Sequence, residues 1–101
     1  MNDAAYHVKV DKGLADLIPT FMSNRKKELE ALRAALAAAD FEQLRQLGHR
    51  MRGVGNSYGF DRVSDIGRSI EEGAKSGDKA SLEQQIAHYG EYLSRVQIAY
   101  E

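Results

Sequence analysis

At 101 residues the chain has room for one domain with a thin core. Hydrophobic residues make up 43% and charged residues 29%, the balance of a globular protein, and 14 basic against 15 acidic residues leave a net charge of -1. That near-neutrality argues against a dedicated nucleic-acid binder, and the absence of cysteine excludes disulfides, thiol catalysis and cysteine metal sites.

Met1 to Val10 shows no charged-then-apolar signal pattern, and no apolar run approaches the ~18 residues of a membrane span. We therefore expect a cytoplasmic protein with no membrane association. Residues 1–10 read as an N-terminal extension; Tyr6-His7-Val8-Lys9-Val10 alternates, but the run is short. Asp11 is placed to cap a short helical turn over 11–18. Pro19 suits the first turn of a helix over 19–38, where a missing N–H costs nothing. Its apolar stripe is Phe21, Met22, Leu29, Leu32 and Leu36, with Arg25, Lys26 and Glu30 expected outward.

Asp40 with Gln43 forms a capping-box pattern and opens a second helix over 41–58. Phe41, Leu44, Leu47, Met51, Val54 and Tyr58 should face inward, and Gly59 marks the break. A third helix over 60–76 places Phe60, Val63, Ile66, Ile70 and Ala74 on one face, with Asp61 as its expected cap. Gly77-Asp78 ends it. Ser81 with Gln84 reads as another capping box, opening a last helix over 79–99 whose seam is Leu82, Ile86, Tyr89, Leu93, Val96 and Tyr100. Four amphipathic helices with short connections predict an all-α fold, an antiparallel up-down-up-down four-helix bundle with a short N-terminal helical segment, in one domain over 1–101.

The segment from Gly48 to Gly59 departs from ordinary helix. Gly48, Gly53, Gly55 and Gly59 fall within it, although an interior glycine costs roughly 1 kcal/mol relative to alanine. On a wheel of about 100° per residue, Leu44, Met51 and Gly55 define the core side and His49 lies roughly 150° away. Gly48 and Gly55 fall on the apolar side, where they would let neighbouring helices pack tightly. Gly53 points outward with His49, Arg45 and Asn56 flank it, and Arg52 lies to one side.

This exposed imidazole, bare backbone, amide and pair of guanidinium groups suit a phosphoryl carrier. Neutral imidazole is nucleophilic near its unperturbed pKa of about 6.5. Arginine binds phosphoryl oxygens through charge-assisted hydrogen bonds. A glycine beside the histidine leaves room for a partner's active site. The bland alternative is a surface histidine among arginines that only solvate an exposed face.

His49-Arg50-Met51-Arg52-Gly53 resembles the signature of the histidine phosphotransfer (HPt) family, His-x-apolar-Lys-Gly. Gly59-Phe60, the helix running to Glu71-Glu72, and the upstream Ala35-Leu36, Asp40, Leu44 and Leu47 are also spaced as in that family. The resemblance covers roughly Leu14 to Leu93. It implies a four-helix carrier without kinase activity or cofactor. His49 would accept a phosphoryl group on Nε2 from a receiver-domain aspartate or a hybrid sensor histidine kinase, and pass it to a response regulator. The receiver would supply Mg2+. Arg52 would stabilise the phosphate in the family's lysine position, and Gly53 would give the partner access. Arg52 is a departure that preserves charge but adds bulk. A receiver is expected to dock on the second and third helices, including Arg45, Asn56 and Arg68.

No histidine pair has helical ligand spacing, so no metal site is expected, nor is there a nucleotide-binding loop or nucleophile elbow. His88 reads as a packing or surface residue, Tyr92 and Tyr100 as packing residues, and Asn24-Arg25-Lys26-Lys27 as a solvated face in preference to a partner patch. Two rival readings are a docking module that binds a receiver without being phosphorylated, and an unrelated helical adaptor. The carrier reading implies a monomer; the adaptor reading implies a homo-oligomer.

Overall fold

The computed structural model describes residues 5–101. Strand β1 (Tyr6–Val10) leads through a 3-10 segment, Lys12–Leu17, into α1 (Ile18–Ala37), α2 (Phe41–Ser57), α3 (Asp61–Ser76), α4 (Lys79–Arg95) and strand β2 (Val96–Tyr100). Each helix packs on the next and α1 packs on α4, so the four form a bundle around one core. Leu32, Leu44, Met51, Val63, Ile70, Leu82 and Tyr89 are fully buried within it.

The caps follow from local chemistry. The Asp11 carboxylate accepts from Gly13 N–H, and Asp40 accepts from Gln43 N–H, satisfying donors that a helix start leaves free. At α4 the cap is Asp78, which accepts from Ser81 N–H, so Ser81 lies inside the helix rather than at its cap. Asp61 is the first residue of α3, not its cap; Phe60 holds that position without a side-chain bond. Gly77 ends α3 with φ 67, a left-handed conformation that favours glycine.

Two expectations need correcting in α1 and α4. Arg25 does not point outward: its side chain is only 11% exposed, ion-paired with Glu28 at 3.1 Å and laid over the Phe21 ring at 4.8 Å. It stands one turn after Phe21 and so shares the edge of the apolar stripe. The last helix stops at Arg95, and residues 96–100 form β2, pairing in parallel with β1 from Tyr6–Val96 to Val10–Tyr100. Residues 6–10 are thus a strand rather than an extension. Val96 and Ile98 are partly buried and alternate with exposed Gln97 and Ala99, while Tyr100, expected in the helical seam, is 44% exposed. A local helical period counts Val96 and Tyr100 as one more turn of the seam. Pairing with a strand from the other end of the chain gives their backbone groups better partners.

Helices α2 and α3 approach most closely. A Cβ on Gly48 would lie 2.7 Å from Glu71 N and Gly67 O, and one on Gly55 would lie 2.6 Å from Phe60 O and Ser64 Oγ. Gly67 faces them from α3, where a Cβ would lie 2.7 Å from Arg52 N and Gly48 O. The glycines on this face therefore permit backbone-to-backbone packing. That contact brings the middle of α3 under the exposed face of α2.

Candidate functional site

His49 stands on α2 with its side chain 65% exposed. Its Nδ1 lies 3.1 Å from Glu71 Oε2 on α3. An ionised carboxylate only accepts, so Nδ1 carries the proton and Nε2 is left as the lone-pair nitrogen. Arg52, one turn of α2 further on, donates from Nη1 to the other oxygen, Glu71 Oε1, at 3.0 Å. Lys75 stands 3.7 Å from Oε2. A single carboxylate thus holds the imidazole and two cations in one cluster.

Glu71 is only 4% exposed, yet the groups that cover it are themselves exposed side chains. Burial by itself raises its carboxyl, but hydrogen bonds from Arg52 and His49 and the charge of Lys75 hold it below the ordinary carboxylate value. It remains ionised near neutrality, in position to keep Nδ1 protonated. Its site follows from the glycine contact: Glu71 is one helical turn beyond Gly67, and His49 follows Gly48.

Beyond its own stretch of helix, no atom lies within 4 Å of where a Cβ on Gly53 would stand. Beside the imidazole, α2 therefore presents bare backbone. Arg52 remains half-exposed despite its bond to Glu71. Asn56 and Arg68 are exposed on α2 and α3. Arg45 is already engaged: its Nε and Nη2 donate to Glu42 at 3.0 and 2.7 Å. Those bonds, with one from Gln46, hold the Glu42 carboxyl down to about 2.

A family model of the Hpt domain matches residues 16–99. The chain belongs to the Hpt domain family. Hpt domains are histidine phosphotransfer modules of phosphorelays, phosphocarriers that interact with receiver domains and kinases. No curated protein and no solved structure matches the chain. Among the described residues, no helix of this Hpt domain is long and apolar enough to cross a membrane.

The Hpt structure brings His49, Arg52 and Gly53 to one face, with Asn56 and Arg68 exposed on the same pair of helices. Sequence reasoning missed Glu71, which it treated only as the end of a helical pattern. Two signals pointed to it. Glu71 follows Ile70 on the buried face of α3, where a carboxylate needs partners, and Gly67 one turn earlier marks the contact with α2. His88, left open between packing and surface, is half-buried and lies edge-on to the Tyr6 ring with centroids 6.1 Å apart.

Proposed function

We propose that His49 is the phospho-acceptor of this Hpt domain, a monomeric cytoplasmic carrier without kinase activity of its own. The observation that carries this reading is the Glu71 bridge, which ties Nδ1 of an exposed imidazole to a buried carboxylate and so leaves Nε2 free.

The transfer balances without a group from this chain acting as a base. The Nε2 lone pair attacks the phosphorus of a receiver aspartyl phosphate, the P–O bond to the aspartate breaks, and the aspartate leaves as carboxylate. Nδ1 keeps its proton, and the ring takes on positive charge that the Glu71 carboxylate stabilises. In the reverse sense that charge makes the ring a good leaving group, so the same bridge assists delivery to a second receiver. Arg52 stands between two anions, Glu71 and the incoming phosphoryl group, and can pivot between them. Gly53 lets the receiver close over the reacting atoms.

The test is phosphate transfer from a panel of phosphorylated receiver domains to wild type and His49→Gln. Acid-labile, base-stable label should appear on the wild type alone, with the variant still folded because the replaced side chain is exposed. Equal label on the variant would remove His49 from the reaction, and receiver binding without any label would favour a docking module. For the docking surface we propose Arg45, Asn56 and Arg68. Charge reversal at Arg68 should slow receiver association about tenfold at low salt. An unchanged rate would place the interface elsewhere.

A further inference from the structure

The cluster around Glu71 holds more positive charge than the resting protein uses. It has a single carboxylate, yet two cations stand on it: Arg52 Nη1 at 3.0 Å from Oε1 and Lys75 Nζ at 3.7 Å from Oε2. The imidazole beside them is neutral while Nε2 keeps its lone pair. Among the described residues neither cation is ion-paired with any other carboxylate, and Glu42 is already taken up by Arg45.

The two cations are not equivalent. Arg52 stands on α2 and bonds to Oε1, whereas Lys75 stands on α3 and shares Oε2 with Nδ1 of His49. Lys75 is therefore the cation on the imidazole's side of the carboxylate. At 3.7 Å its Nζ is beyond hydrogen-bond distance, and its side chain is 58% exposed, so this contact is weak and easily exchanged. A flexible four-carbon stem lets Nζ swing by several ångströms. Local helix chemistry favours a lysine here as well: Lys75 lies in the last turn of α3, four residues after Glu71. That accounts for a lysine paired with Glu71, but not for a second cation on a carboxylate that Arg52 already neutralises.

Phosphorylation changes the count. A phosphoryl group brings about two negative charges near neutral pH, so that two cations then face a carboxylate and a phosphoryl group together. We propose that Lys75 is a second phosphate-holding residue: when Nε2 of His49 is phosphorylated, Nζ leaves Glu71 Oε2 for a phosphoryl oxygen, and the group is held from both helices, by Arg52 on α2 and Lys75 on α3. This inference rests on His49 being the phospho-acceptor. It has a thermodynamic consequence. A residue that gains its contact only in the phosphorylated form shifts the equilibrium of phosphate between this domain and a receiver, whereas a residue that only helps the two proteins meet shifts the rates alone.

The test is that equilibrium, measured with the whole chain and a phosphorylated receiver domain at fixed pH, as the ratio of label on the two proteins once it has stopped changing. Lys75→Gln should move the ratio about fivefold toward the receiver. Lys75→Arg, which keeps the charge, should return it to within about twofold of the wild type. Lys79→Gln removes an equal charge from the exposed start of α4 and should leave the ratio where it was. The inference is overturned if Lys75→Gln leaves the ratio unmoved, if Lys79→Gln moves it as far, or if Lys75→Arg fails to restore it. Absence of label on the wild type would overturn it together with the reading on which it rests; label on His49 with an unmoved ratio would overturn it alone.

Discussion

The two faces of α2 use the same residue for opposite ends. On the inner face, Gly48 and Gly55 stand where any side chain would strike the backbone of α3. On the outer face, a side chain on Gly53 would meet nothing within 4 Å beyond its own stretch of helix. Packing accounts fully for the inner pair and not at all for Gly53, which weakens its helix by roughly 1 kcal/mol relative to alanine. A residue that costs stability, and whose missing side chain would meet nothing beyond its own helix, is best explained by what approaches from outside. That contrast separates glycines that packing requires from one that packing does not require, which is where the proposed role of Gly53 rests.

The largest effect should come from filling the inner face. Gly55→Ala places a methyl group 2.6 Å from Phe60 O and Ser64 Oγ, and should destabilise the fold by about 3 kcal/mol in denaturant unfolding. A loss well under 1 kcal/mol would mean that α2 and α3 can slide apart freely.

Next comes the carboxylate below the histidine. Glu71→Gln keeps the shape but removes the charge that supports the imidazolium, and should slow transfer about tenfold or more. The same variant has a signature in pH. The Glu71 carboxyl is held below its ordinary value of 4.5 in the folded protein, so its contribution to stability is fully present above that pH and is lost as pH falls through the lower folded value. The wild type should therefore exceed Glu71→Gln in stability near neutrality, and the difference should vanish in acid. A difference that persists in acid would trace to packing rather than charge.

The smallest effect belongs to the outer face. Gly53→Ala should stabilise the fold by up to about 1 kcal/mol while slowing transfer from a receiver. If it slowed nothing, the contrast between the two faces would lose its functional half.

Much of this was legible in the sequence, and the gaps have a common cause. The helices announced themselves through apolar period and caps, because both signals are local: Asp11 and Asp40 bond to N–H groups two and three residues away. His49, Arg52 and Gly53 could be placed on one face by the geometry of a single helix. Glu71 could not be joined to His49 in that way, since the bond crosses between helices and depends on how closely Gly48 and Gly67 let them approach. The strands failed for the same reason. Val96 and Ile98 show a strand's alternation only once Tyr6–Val10 is known to lie beside them. Asp78 displaced Ser81 as the cap of α4 because both residue types cap well and only the backbone path decides between them.

The parallel strand pair also bears on how the chain reaches its native state. It unites segments that lie almost the whole length of the chain apart, whereas the helix connections are two or three residues long. Closing so large a loop is entropically costly until the helices have already brought its ends together. The pair is therefore expected to assemble last and open first, and its amides should exchange with solvent by local opening while the bundle stays intact. Because Tyr6 and Val8 also line a concavity with Gly59, Asp61, Arg62 and Tyr92, that concavity is complete only in molecules whose strands are paired.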